Sequence, residues 1–244
     1  MEIDVKKEVR GLQKGKLVSG IVYPEIFDLK KSDSVLDVGC GVGPQAIIWK
    51  GRYKEILGVD VTQERLDIAD AIMPSFGVRN FKTLRANVEQ MPLPDKSFDK
   101  VLAIDVIEHV EHPEKFLKEL SRVLKDDGQL LITFPAMHDK YLHLGSWFLR
   151  NVLRRKNEKK KRDGWHPHVH QYDYNVREWQ GIFKDTGWKL IRSRATTMVP
   201  PFHYFGLPRF WFSNKIIHLI DRGFCVLPVA KYYGQSVVAV YKKN

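Results

Sequence analysis

Two groups of side chains in this 244-residue sequence have the types and spacing to do chemistry. The first is Asp37-Val-Gly-Cys-Gly-Val-Gly43, with Asp60 seventeen residues beyond it. Glycines at 39, 41 and 43 allow a tight turn and a close approach of backbone to ligand. A helix starting after them would offer unpaired N–H groups to an anion. Asp60 can accept both hydroxyls of a ribose; the plainer alternative is a cap for a helix starting at Thr62. A dinucleotide site spaces its glycines G-x-G-x-x-G around a pyrophosphate. Here the spacing is G-x-G-x-G, and an acid, Asp37, precedes it. A carboxylate repels pyrophosphate and attracts an amino group, so the loop suits a nucleoside that carries an amino acid. Cys40 reads as a small residue of the loop, because no base is placed to activate a thiol.

The second group is Asp105, Glu108, His109 and His112, which share one side of a helix or tight turn. Histidines also alternate at 166, 168 and 170, on one side of an extended segment. Carboxylates and imidazoles can bind zinc, iron or manganese. The alternatives are hydrogen-bonded lid histidines and general bases. The reading adopted has no metal and takes Glu108, His109 and His168 as the catalytic candidates.

The elements that must position these groups alternate along the chain. Apolar runs at 34–39, 55–60, 81–86, 98–107 and 129–135 read as strands buried on both faces. Helical patterns separate them, GPQAIIWKG, TQERLDIADAIM and PEKFLKELSRVLKDDG, the last closed at Gly128. Pro24 marks a helix start within the opening segment. Asn175 and Glu178 form a capping-box signature before REWQGIFKDTG. Strands at 188–198 and 235–243 complete the pattern, with further helices at 139–156 and 208–223. The expected architecture is a single α/β domain over 1–244, with a seven-stranded, mostly parallel sheet, helices on both faces and an antiparallel last strand. Its parts are N-terminal helices (1–30), a cofactor core (31–135), a basic and aromatic lid (136–175) and a completing segment (176–244).

With the motifs in this order, the chain resembles the class I S-adenosylmethionine-dependent methyltransferases, in particular the ubiquinone and menaquinone biosynthesis group. The similarity covers residues 30–135 strongly and 168–198 loosely. VLDVGCGVG resembles the loop that holds the methionine part of the cofactor, and GVD supplies the ribose acid, Asp60. ANVEQMPLPDKSFD resembles the adenine segment, with Asn87 where the family has aspartate; its side-chain oxygen can still accept from the adenine amine. Met91 and Leu93 pack over the adenine edge or into the core. DVIEHVEHPEKFLKELSRVLKDDGQLLITFP resembles the fourth motif, its helix and the fifth strand. The resemblance implies cofactor contacts from Asp37, Gly39, Cys40, Gly41, Gly43, Asp60, Val61, Asn87, Val88 and Ile104. The product is S-adenosylhomocysteine. The Asp105-x-x-Glu108-His109 pattern is associated with a divalent cation in ubiquinone-type oxygen methyltransferases. WHPHVHQYDY resembles a stretch that places His168 and Tyr172 at the substrate mouth. The Asn-Pro-Pro-aromatic tetrad of exocyclic-amine methyltransferases is missing, which argues against nucleobase-nitrogen and glutamine targets.

Charge narrows the partners. Residues 1–135 hold 20 basic and 22 acidic side chains, and residues 136–244 hold 20 and 7, so the net +11 sits in the second part. It peaks at 150–162, beside many aromatics. That composition suits an anionic membrane surface or a lid over an apolar acceptor; the alternative is an RNA or protein substrate. The expected reaction is methyl transfer to oxygen or carbon of a small apolar or lipid-like acceptor, with nucleic acid a weaker reading and a homo-oligomer left open. No apolar run is long enough to span a bilayer. The opening residues lack an apolar core, so no signal peptide is expected. Two cysteines provide no disulfide framework. A cytoplasmic protein, peripheral to the membrane if it meets one, is expected.

Overall fold

The computed structural model describes residues 3–14, 23–135, 172, 174–196, 223, 225–227 and 236–244. Within them, α1 (Val5–Lys14) and α2 (Tyr23–Ile26) precede β1 (Ser34–Val38), α3 (Pro44–Ile48) and β2 (Glu55–Asp60). Then come α4 (Gln63–Ile72), a 3-10 turn (Met73–Phe76), β3 (Phe81–Arg85) and β4 (Phe98–Ala103). α5 (Pro113–Val123), β5 (Leu124–Pro135), α6 (Val176–Asp185), β6 (Trp188–Ala195) and β7 (Ser236–Lys243) complete the described elements.

The strands form a seven-stranded sheet in the order β3-β2-β1-β4-β5-β7-β6. The first five run parallel, while β7 lies antiparallel between β5 and β6. Strand periodicity divides the core into two layers. Leu36, Val101, Leu130, Ile132, Val237 and Ala239 pack with α5 and α6 on one face. Val35, Leu102, Leu131, Val238 and Val240 pack with α1 to α4 on the other. This is why the strands read as unbroken apolar runs: both faces are covered.

α5 shows how local sequence makes an element. Pro113 occupies its first turn, where a missing N–H costs nothing, and Phe116, Leu117, Leu120 and Val123 form one buried stripe. α6 has the expected capping box. The Asn175 side chain accepts from Arg177 and Glu178 N–H at 2.9 and 3.1 Å, and Glu178 accepts from Asn175 N–H at 2.6 Å.

Three expected boundaries differ. The strand expected over 98–107 stops at Ala103, because Asp105 has a left-handed φ of 55° that a strand cannot hold. The helix expected to close at Gly128 ends at Val123, where β5 begins, so Gly128 lies within the strand. A Cβ on Gly128 would sit 2.6 Å from the Leu124 side chain, so this glycine makes room rather than caps. The helix after the glycine loop is only five residues and starts with Pro44, which has no N–H to offer an anion. The anion-binding argument therefore loses one of its donors. The helices expected at 139–156 and 208–223, nearly all of the lid, and the basic stretch 150–162 lie outside the described residues.

Candidate functional site

β1 has β2 on one side and β4 on the other, and the chain leaves β1 for β2 and β3 before crossing back to β4. Such a reversal opens a crevice at the carboxyl ends of the two central strands. The glycine loop leaves β1 here, and the 104–112 turn leaves β4 beside it.

The loop is anchored by Cys40 N–H donating to the Val59 carbonyl at 3.0 Å. Gly39, at φ 66°, is pressed against the neighbouring turn: a Cβ there would lie 2.5 Å from Val106 Cγ2. Gly41, at φ 54°, faces open space, its nearest neighbour being Arg65 Nη1 at 3.9 Å. One glycine thus permits packing, and the other leaves room for a ligand. Asp37 is buried at 1% exposure in β1 beneath the loop. Gly43 closes the loop, its N–H donating to the Cys40 carbonyl. Cys40 is buried toward β2, with its sulfur 2.7 Å from where a Gly58 Cβ would stand. Burial, then Asp37 and Asp60, push its thiol well up, so it stays protonated and unreactive.

Asp60 ends β2 at 6% exposure. One carboxylate oxygen accepts Gly41 N–H and the other accepts Thr62 N–H, both at 2.9 Å. These bonds fix the carboxylate and leave a lone pair on each oxygen. The helix-cap alternative assigned to Asp60 gives way to this role as a brace. Thr62 occupies the N-cap position of α4 without a side-chain cap bond. Val61 is half-buried beside it, and its carbonyl accepts from Arg85.

After β3, Val88 and Met91 are buried in the core while Asn87 is exposed. Asn87 Oδ1 already accepts Glu89 N–H at 2.9 Å, so only its second lone pair is available to an incoming amine.

The residues after β4 form a turn rather than a helix, closed by His109 N–H to the Val106 carbonyl at 2.8 Å. Ile104 is half-buried against the α1–α4 layer. Asp105 holds its left-handed conformation through Thr133: its N–H donates to Thr133 Oγ1 at 2.7 Å, and that hydroxyl donates back to Asp105 Oδ1 at 2.9 Å. Glu108 is buried at 4% exposure, and its Oε2 has no hydrogen-bond partner among the described residues. Burial, with a smaller push from the Asp105 carboxylate, raises its pKa from 4.5 to about 7. His109 is half-buried, and His112 occupies the N-cap position of α5 without a side-chain cap bond. Among the described residues no group of three or more His, Cys, Asp or Glu side chains is placed to hold a metal ion. Asp105, Glu108, His109 and His112 are thus neighbours in sequence but not a ligand cluster. His166, His168 and His170 lie outside the described residues.

Sequence reasoning missed Val106, Thr133 and Arg65 as parts of this site. Thr133 was legible as the one hydroxyl in the apolar run of β5. The other two had no signal, since Val106 lay in the run read as the fourth strand and Arg65 in the helical pattern TQERLDIADAIM.

Residues 36–132 match the family model described as "Methyltransferase domain". The chain is 30% identical over 194 residues to protein MJ1252 of Methanocaldococcus jannaschii, covering 73% of this chain and 71% of that one. It belongs to the class I S-adenosylmethionine-dependent methyltransferase family. It is also similar to methyltransferase YcgJ of Bacillus subtilis, 30% identical over 150 residues, covering 61% of this chain and 54% of that protein. The crystal structure of YcgJ has the same fold, with a TM-score of 0.60 at 21% identity over 93% of this chain and 98% of that one. (S)-coclaurine N-methyltransferase of Papaver somniferum is 31% identical over 139 residues, 54% of this chain and 39% of that protein. The match therefore spans about half of YcgJ and less of the plant enzyme.

S-adenosylmethionine, the cofactor of this methyltransferase family, fits the residues present. The space over Gly41 is open but for Arg65 Nη1 at 3.9 Å, the Asp60 carboxylate has a free lone pair per oxygen, and Asp37 is a buried acid beside the loop.

Proposed function

We propose that this chain transfers a methyl group from S-adenosylmethionine to oxygen or carbon of a small apolar acceptor. Bound S-adenosylmethionine supplies an electrophilic methyl on a sulfonium, so no metal or covalent enzyme adduct is needed. The chain's task is alignment and, for an acceptor that starts protonated, removal of one proton. Asp60 would hold the ribose hydroxyls, the Gly39–Gly43 backbone the methionine part, and Asn87, Val88 and Ile104 the base. The observation that carries the reading is Glu108: a buried carboxyl with an unpartnered oxygen, on the turn packed against the glycine loop. With its pKa near 7 it can take a proton from a phenol or enol, as a base matched to the working pH should. His109 and His168 are the other candidate bases. A quinone-like or lipid precursor met at an anionic surface is the acceptor class that the sequence favours.

A second reading is an amine acceptor, favoured by the similarity to a plant N-methyltransferase. An amine and a phenol are separated by an acceptor screen with labelled S-adenosylmethionine, run with and without anionic vesicles. Calorimetric titration with S-adenosylmethionine comes first: micromolar binding lost in Asp60→Ala supports the cofactor site, and a folded wild type that does not bind overturns it.

A further inference from the structure

The segment after β3, residues 86–95, has little regular structure, yet it carries the candidate base-binding residues Asn87, Val88 and Met91. Its backbone is held by side chains of α5. Met91 N–H donates to Glu119 Oε1 at 2.7 Å. The Arg122 guanidinium donates to the Met91 carbonyl at 3.0 Å, the Leu93 carbonyl at 2.7 Å and Asp95 at 2.6 Å. It also takes Glu119 in a two-pronged grip at 2.7 and 2.8 Å. The Arg122 guanidinium makes five donations here, two more than a lysine ammonium has N–H groups. Arg122 therefore folds a loop that would otherwise leave its carbonyls to solvent.

At its other end, the same segment reaches the 104–112 turn. Glu89 Oε1 accepts Glu111 N–H at 2.7 Å and His112 N–H at 3.1 Å. The Glu89 N–H is itself bonded to Asn87 Oδ1. An unbroken series of bonds thus runs from Asn87 through Glu89 to the turn that carries Glu108. Tyr172 donates to the Glu111 carbonyl from the far segment at 2.5 Å, adding a third tie at the same residue.

Resting on the cofactor reading above, we propose that Glu89 is a positioning residue that couples occupation of the adenine end of the pocket to the ordering of the 104–112 turn, with Arg122 as the clamp that gives Glu89 a fixed base. Glu89 touches neither cofactor nor acceptor in this scheme; it acts through Asn87 on one side and the Glu111 and His112 amides on the other.

The test uses adenosine as a probe, because it lacks the methionine part and so reports on the base and ribose end alone. Hydrogen exchange is followed by mass spectrometry in the wild type, Glu89→Ala and Glu89→Gln, with and without adenosine or S-adenosylmethionine. Expected in the wild type is slower exchange at both 86–95 and 105–112 on adding adenosine. Glu89→Ala keeps the protection at 86–95, loses it at 105–112 and binds S-adenosylmethionine about tenfold more weakly, the scale of one lost hydrogen bond to a charged group. Glu89→Gln, whose amide oxygen can accept the same two N–H groups, restores the response. A role in stability alone would lower the unfolding midpoint without separating the two segments. Glu89→Ala responding as the wild type does, or a wild type protected by adenosine only at 86–95, overturns the coupling while leaving the cofactor reading standing. A folded wild type that binds no S-adenosylmethionine overturns the cofactor reading, and the coupling falls with it. Should Glu89→Ala not fold, Arg122→Lys carries the test: unchanged adenosine affinity there overturns the clamp.

Discussion

The glycine loop and the 104–112 turn face each other across the same crevice, yet they are built on opposite principles. At the loop, both oxygens of Asp60 take amide donors, and Cys40 is tied to β2 through its backbone. In the turn, a carboxyl is buried with one oxygen unpartnered, and a non-glycine residue sits at φ 55°. The first arrangement braces its carboxylate, which suits binding. The second stores the cost of an uncompensated acid, which suits proton transfer. An apolar contact, Val106 against Gly39, joins the two.

The sharpest way to break the comparison is Asp60→Ala. It removes the acceptor for Gly41 and Thr62 N–H as well as the proposed ribose contact. S-adenosylmethionine affinity should fall by about a hundredfold or more by calorimetry, since hydrogen bonds to a charged group contribute about 1.5–3 kcal/mol each. An affinity within a few-fold of wild type would mean that the loop does not bind as described.

The next effect belongs to the turn. The folded-state pKa of Glu108, about 7, lies above its ordinary 4.5. The folded state therefore keeps a proton that the unfolded chain releases. The stabilising share of Glu108 is complete below pH 4.5, drains away as the pH rises to about 7, and stays lost above that. Glu108→Gln does not titrate, so it should gain on the wild type across this window by about 3 kcal/mol, at 1.4 kcal/mol per unit. Urea unfolding at three pH values checks this. The same variant should lose methyl transfer to a phenol, and a gain in stability with no loss of activity would make Glu108 structural.

Gly39→Ala attacks the joint between the regions. A Cβ there meets Val106 Cγ2 at 2.5 Å, and the left-handed φ adds strain of about 1–2 kcal/mol. Thermal unfolding should show a loss of about 2–3 kcal/mol, of which Val106→Ala in the same chain recovers the clash but not the strain. A double variant no better than the single one would show that the regions are not in contact. The smallest effect is Thr133→Val. It removes the hydroxyl that holds Asp105 and should cost about 1 kcal/mol in stability. S-adenosylmethionine affinity is expected to stay near wild type, because the loop keeps its own bonds.

What was legible in the sequence was local. The glycine loop, Asp60, the α6 capping box and the buried strands each rest on residues a few positions apart or on a single period. The fourth strand was read too long because Val106 and Ile107 are apolar and buried, as a strand residue would be. They reach the core from a turn, and burial alone does not distinguish the two. The helix before β5 was read too long because Gly128 resembles a cap. Its reason is steric, the Leu124 side chain, and that becomes visible only once β5 is in place.

The amino-acid sequence by itself determined that a glycine loop and an acid, Asp60, follow buried strands, because backbone freedom, apolar runs and charge spacing act over short distances. Only the tertiary structure decided that β1 and β4 lie side by side, that β7 inserts between β5 and β6, and that Thr133 meets Asp105 across 28 residues. It also decided that Arg122 would grip carbonyls 29 and 31 residues away, and that Glu108 would lose its water. Those outcomes depend on which surfaces bury each other when the sheet closes, and the energy of a buried carboxyl is a property of that enclosure rather than of its neighbours in the chain.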